Sequence, residues 1–281
     1  MSPDRVAQFA QLAMLLELSS SPKPGNVDRC HDFDDIGFSQ FLISAVSAYP
    51  VFKAAAYGQG RIGSLILEGV KAWREWNLSS NTHFGSLVLM IPLALAASRP
   101  EGSLCENLAS ALHETTVEDA VDFYRAFDLA GARVADVDEY SLRDAKAVER
   151  LRQKGKTLLD LMKISERHDL IAREWSTGYE RSFRLAARLT ELIEERGLNE
   201  GIVRAFLEAL AEEPDSLIAA KFGANKAKEI SSRAKVALED KTLDAAYRLD
   251  EELLSEDVNP GSTADLIAAA LFISLLKGVR F

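Results

Sequence analysis

At 281 residues, 47% hydrophobic and 27% charged, the chain has ample apolar material for a buried core, and its low proline and glycine content excludes large-scale disorder. A net charge of −10, from 33 basic against 43 acidic residues, argues against a general nucleic-acid binder, which needs a basic face. The two cysteines, Cys30 and Cys105, are too few for a disulfide scaffold or a thiolate zinc site, and predict a reduced, cytoplasmic setting.

The N-terminal stretch carries acids and lacks the basic start of a signal peptide. Val6, Phe9, Leu12, Ala13 and Leu16 recur at steps of three and four, which predicts a first amphipathic helix. Phe41, Ile43, Val46, Val51 and Phe52 form a second apolar segment, interrupted by Pro50. The run from Ile62 to Trp76 has a helical period. Leu87 to Ala97 is almost wholly apolar, and Pro92 within it predicts a kink or a restart. Residues 133–175 are richer in charge, and a lid over a site or a plain extension of the bundle both suit them. Tyr179–Arg196, Ile202–Leu210 and Ala224–Leu238 read as surface helices with charged outer faces. Leu266–Leu276 is too short to span a bilayer and reads as a core helix. With no alternating strand pattern, the expectation is an all-α fold: a compact multi-helix bundle around an apolar C-terminal helix. One domain over 1–281 is the first choice, and a subdomain boundary near residue 135 is the alternative.

Three polar turns interrupt this pattern. The first runs from Ser21 to Asp35, where Lys23, Asp28, Arg29, His31, Asp32, Asp34 and Asp35 crowd a loop stiffened by Pro22, Pro24 and Gly25. Lys23 and Arg29 are donors suited to phosphate, and the carboxylates are hard ligands suited to magnesium. A solvated turn in which Asp34 or Asp35 caps the helix starting near Phe38 accounts for the same residues. The second turn, Asn81-Thr82-His83-Phe84-Gly85-Ser86, opens an apolar helix, either as an ordinary cap or as an anion site at free amides. The third holds Asp257, Asn259, Pro260, Gly261, Ser262 and Asp265. Ser262 and Asp265 fit a capping box, while a carboxylate near the buried end of a core helix also calls for a metal or an arginine.

Taken in order, Ser21-Pro22-Lys23-Pro24-Gly25-Asn26-Val27-Asp28-Arg29, Asn81-Thr82-His83-x-Gly85 and Asn259-Pro260-Gly261-Ser262-x-Ala264-Asp265-Leu266 resemble the signatures of the triphosphoribosyl-dephospho-CoA synthase family. The resemblance implies an all-helical transferase that moves the triphosphoribosyl group of ATP to a ribose hydroxyl of 3'-dephospho-CoA and releases adenine. It implies nucleotide partners, no nucleic acid and no membrane, and Mg2+ with the triphosphate. Oligomeric state stays open. Mapped onto this chain, Lys23, Gly25, Arg29, Asn81, Thr82, Gly85, Asn259 and Gly261 become the nucleotide- and phosphate-binding candidates. Asp28, His31, Asp32 and His83 become the catalytic ones, and Asp32, Asp35, Asp257 and Asp265 the metal ligands. Better-known members have a lysine where this chain has Phe84, and a longer first loop, so an acceptor other than dephospho-CoA is the first alternative. Two others remain: a metal-dependent helical phosphohydrolase built on His31-Asp32 and His168-Asp169, and a silent nucleotide-binding scaffold.

Overall fold

A computed structural model of the protein describes residues 1–33, 36–78, 82–132 and 146–280. The described residues form helices and no strand. In chain order these are α1 (Pro3–Ser19), α2 (Phe38–Ser47), α3 (Tyr49–Ala56), α4 (Ile62–Glu75), α5 (Phe84–Ala97), α6 (Leu104–His113), α7 (Val117–Ala130) and α8 (Ala147–Lys154). There follow α9 (Leu158–Ser165), α10 (Leu170–Thr177), α11 (Glu180–Arg196), α12 (Leu198–Glu212), α13 (Ser216–Phe222), α14 (Ala224–Ala237), α15 (Asp244–Ser255) and α16 (Gly261–Leu276). No helix among the described residues is long and apolar enough to cross a membrane. The chain packs as two compact units, one holding residues 1–12, 42–132 and 146–180, the other 13–41 and 181–280. The alternative boundary near residue 135 lies outside the described residues, as does much of the candidate lid.

In the first unit, α5 packs against α3, α4, α6 and α10, while α4 lies along α7. Its apolar sequence is explained by burial on nearly every face. Pro92 sits inside an uninterrupted α5 rather than at a restart. Proline has no N–H, so the carbonyl four residues earlier loses its helical donor. That carbonyl belongs to Val88, and Trp175 Nε1–H donates to it at 3.2 Å. The Tyr179 hydroxyl donates to the neighbouring Leu89 carbonyl at 3.0 Å. Both aromatic side chains are fully buried, so distant residues supply what the proline removes.

In the second unit, α12 packs on α14 and α16. The surface position expected for residues 202–210 is corrected here: α12 buries Gly201 to Leu207 without a break. Its one cation there, Arg204, is folded inward, and donates to the carbonyls of Lys241 at 2.6 Å, Thr242 at 3.2 Å and Asp240 at 3.3 Å. From Ser262 to Leu275, α16 buries every side chain except Asp265, so this helix forms the core of its unit.

The start of α16 is fixed by a residue from elsewhere. Pro260 occupies its cap position and makes no capping bond. Asp215, fully buried, caps α13 through Oδ1, which accepts from Leu217 N at 2.8 Å and Ile218 N at 3.1 Å. Its Oδ2 accepts from Thr263 N at 2.7 Å and Thr263 Oγ1 at 2.8 Å. One carboxylate therefore satisfies two helix N-termini, and the local Ser262–Asp265 box gives way to a long-range cap. Burial pushes the Asp215 carboxyl above its usual range, and the Thr263, Ile218 and Leu217 donors oppose the shift. Asp215→Ala is expected to cost about 2–4 kcal/mol in urea unfolding, because both caps go and buried amides are left unpaired. A loss below about 0.5 kcal/mol, the scale of an ordinary surface substitution, would show that the two helix starts do not depend on it.

Candidate functional site

The first motif is an inward-folded loop. Lys23 is fully buried, and its ammonium pairs with the Glu17 carboxylate on α1 and reaches the Val27 carbonyl at 3.4 Å. Burial raises the Glu17 carboxyl above its usual range, with the Lys23 charge opposing. An ammonium expected to face a phosphate is thus engaged inside the protein. Val27 packs with Leu18 and Phe41, and Phe33, Ile36 and Phe38 close over them. Asn199 clasps the loop's start, accepting from Ser21 N at 3.1 Å and donating to Ser21 O at 2.7 Å.

Gly25 fastens this loop to the turn between α15 and α16. Its φ of +71° suits glycine, and a Cβ there would collide with the Val258 carbonyl oxygen and lie 2.8 Å from Leu253 Cβ. Its N–H donates to Asp250 Oδ1 at 2.9 Å. Asn26 Nδ2 reaches the Pro260 carbonyl at 3.5 Å. The first and third motifs, more than 220 residues apart in sequence, are therefore neighbours in one unit.

Asp28 is fully buried and holds the next turn closed. Its Oδ1 accepts from Cys30 N at 2.7 Å and His31 N at 3.1 Å, and Lys23 N approaches Oδ2 at 3.4 Å. His31, about a third exposed, places Nδ1 3.1 Å from Asp250 Oδ2 and 3.5 Å from Asp28 Oδ1. Burial lifts the Asp250 carboxyl to about 6; the Gly25 N–H and the His31 and Lys23 charges hold it back, while Asp28 pushes it up. Asp250 was not among the residues expected from sequence. Its signal is its register: Ala246, Leu249, Asp250 and Leu253 form the buried stripe of α15, so a carboxylate stands where an aliphatic would pack.

The other expected residues separate into distinct settings. Arg29 is exposed on the loop. Asp32 is exposed too, and its Oδ1 accepts from Phe38 N at 2.5 Å at the start of α2; Asp34 and Asp35, the caps expected there, lie outside the described residues. Asp257, exposed, pairs with Lys221 at 2.7 Å. Asn259 keeps a buried Oδ1 that takes no hydrogen bond, and Asp265 is half-buried in the first turns of α16. A Cβ on Gly261 would lie 2.8 Å from Leu217 Cδ2, so this glycine permits α13 to approach. Asp35 and Asn81 lie outside the described residues.

The second motif belongs to the first unit. His83 is buried, with Nδ1 2.5 Å from Ser44 Oγ, and Trp73 Nε1–H donates to the Ser44 carbonyl at 3.1 Å. Phe84 enters the core between Phe123 and Phe127, with ring centroids 5.7 and 5.9 Å away. Thr82 and Gly85 are half-buried beside it. Of the remaining His-Asp pair, His168 is exposed, and Asp169 caps α10 through Ile171 N at 2.8 Å. Both cysteines are free and exposed.

Comparison with known proteins gives a consistent result. The family model of ATP:dephospho-CoA triphosphoribosyl transferase matches residues 3–280. A protein of Pseudomonas syringae pv. tomato that carries the assigned name 2-(5''-triphosphoribosyl)-3'-dephosphocoenzyme-A synthase is 28% identical, across 98% of this chain and 92% of its own. One of Pseudomonas aeruginosa with the same assigned name is 26% identical, across 98% of this chain and 91% of its own. A crystal structure from Archaeoglobus fulgidus, assigned as a triphosphoribosyl-dephospho-CoA synthase, superposes with a TM-score of 0.71 at 31% identity. It covers 85% of this chain and all of the other.

Lys23 gives a direct test of the inward-folded loop. Lys23→Met strands the Glu17 carboxylate in the interior and is expected to cost about 3–5 kcal/mol in urea unfolding. The double variant Glu17→Leu, Lys23→Met removes both charges and should recover most of that loss. Unchanged stability of Lys23→Met would mean that the ammonium faces solvent.

Proposed function

The chain belongs to the ATP:dephospho-CoA triphosphoribosyl transferase family, and from that premise we propose that it transfers the triphosphoribosyl group of ATP to a ribose hydroxyl of 3'-dephospho-CoA. The observation that carries the reading is the match over residues 3–280, which includes all three polar turns. In this reaction the bond between ribose C1' and adenine breaks, and a bond from C1' to the acceptor oxygen forms. The proton leaves the acceptor hydroxyl and ends on adenine, and the triphosphate stays on the transferred sugar. The protein has to hold a polyanion, remove one proton and deliver another.

Arg29, the exposed cation of the first motif, is the residue we assign to phosphate oxygens, since a guanidinium suits them and Lys23 is engaged inside the protein. Gly25, Asp28 and Lys23 act on the substrate through the loop, whose shape they fix, and are positioning residues. His31, partly open to solvent at the first motif, is the imidazole we assign to protonating the departing adenine. Asp265, half-buried at the head of α16, is the carboxylate we assign to the acceptor hydroxyl. His83 supports its own turn through Ser44. Mg2+ accompanying ATP would offset charge on the triphosphate. The phosphohydrolase reading loses one of its two His-Asp pairs, since Asp169 serves as a helix cap.

Incubation with ATP, Mg2+ and 3'-dephospho-CoA should release one adenine for each acceptor converted, with product mass raised by one triphosphoribosyl group. ATP binding without adenine release would redirect the search to another acceptor, and no ATP binding at all would overturn the transferase reading. Arg29→Ala should raise KM for ATP about tenfold, the scale of one lost charge-assisted contact, without changing the melting temperature.

A further inference from the structure

Asp28, His31 and Asp250 converge in a way that the loop's own hydrogen bonding does not explain. One ligand atom from each lies within 4.8 Å of the others, and His31 Nδ1 is 3.1 Å from Asp250 Oδ2 and 3.5 Å from Asp28 Oδ1. Atoms sharing a small divalent cation at about 2.1 Å are separated by roughly 3.0–3.4 Å. A simple His–Asp ion pair would direct a ring N–H at the carboxylate. Here Nδ1 and Oδ2 are both buried and neither makes a hydrogen bond, despite their separation of 3.1 Å. Buried polar atoms without partners are costly, and a cation between them satisfies both at once.

The surroundings are arranged as a metal site requires. Asp250 presents Oδ2 because Oδ1 is held by the Gly25 N–H, and Asp28 is held by the amides of Cys30 and His31. Such outer contacts fix the direction of ligands. Among the described residues, the buried charges around it are the carboxylates of Glu17, Asp28 and Asp250 against the ammonium of Lys23, so one divalent cation balances these four when all are ionised. The His31 side chain is 31% exposed, which leaves one side of the cluster open to water or to a phosphate oxygen.

We propose that Asp28, His31 and Asp250 bind one divalent first-row cation of the manganese type in the absence of nucleotide. Two carboxylates and one imidazole form a mixed oxygen and nitrogen set, which suits Mn2+, Fe2+ or Zn2+ better than the all-oxygen shell that Mg2+ prefers. The position at the junction of the first and third motifs gives the cation an anionic substrate to face. That last point rests on the transferase reading; the binding does not.

The test is titration of chelator-treated, nucleotide-free protein with Mn2+, followed by electron paramagnetic resonance. One Mn2+ per chain is expected. Asp250→Asn keeps the acceptor for Gly25 and removes one ligand charge, and His31→Gln changes a partly exposed side chain. Each should weaken Mn2+ binding by about tenfold to a hundredfold while the thermal unfolding of the metal-free protein stays cooperative. Absence of binding at about 1 mM Mn2+, or equal binding by wild type and both variants, overturns the proposal. Mn2+ binding at this site by a protein that binds no ATP retains the site and removes the transferase reading. Adenine release by a protein that binds no Mn2+ does the reverse.

Discussion

The backbone of Gly25 sets the geometry on which the candidate site depends. At that point the chain runs so close to the Val258 carbonyl that no side chain fits, and it does so at a positive φ. The close approach brings the Gly25 N–H to Asp250 and the Asn26 amide to Pro260. From this contact follow the direction of the Asp28 turn, the placement of His31 beside Asp250, and the adjacency of the first and third motifs. A loop free to move at this position would leave Asp28 and Asp250 as two unrelated buried acids.

Buried charge is the second recurring element. Glu17, Lys23, Asp28, Asp215 and Asp250 are all removed from water, and each has a defined task. Lys23 and Glu17 neutralise one another beneath the loop. Asp215 joins the starts of α13 and α16, and so fixes where the third motif enters its helix. Carboxylates removed from water are costly unless partnered, so their presence in one unit marks where shape is maintained against that cost. Asp250 differs from the others in keeping one buried oxygen without a hydrogen bond.

Much of the helical architecture is legible in the sequence because apolar periodicity is a local property. The stripe from Val6 to Leu16 lies within α1, and the apolar tail becomes the buried α16. What could not be read locally depended on partners far along the chain. Pro92 suggests a break until Trp175 is seen to take up the freed Val88 carbonyl, with Tyr179 bonded to the neighbouring Leu89 carbonyl. Ser262 and Asp265 spell a capping box, yet Asp215 caps the helix from 48 residues away. The charges of the region around Arg204 suggest a surface helix, because nothing nearby reveals the carbonyls that receive the guanidinium. In the site, the polar first loop identifies Asp28 and His31, and Asp250 goes unnoticed among the charged residues of α15. Lys23 shows what charge alone leaves out: a lysine in a polar loop suggests phosphate, and its carboxylate partner lies back on α1.

The central claim is that the loop fastened by Gly25 is where the triphosphate is received. Hydrogen–deuterium exchange with and without ATP and Mg2+ tests it most directly, because amides report contact whatever happens later in catalysis. The account predicts that nucleotide slows exchange most in residues 28–33 and in the turn preceding α16. Saturation with ATP that leaves both segments unchanged and protects amides elsewhere would contradict it.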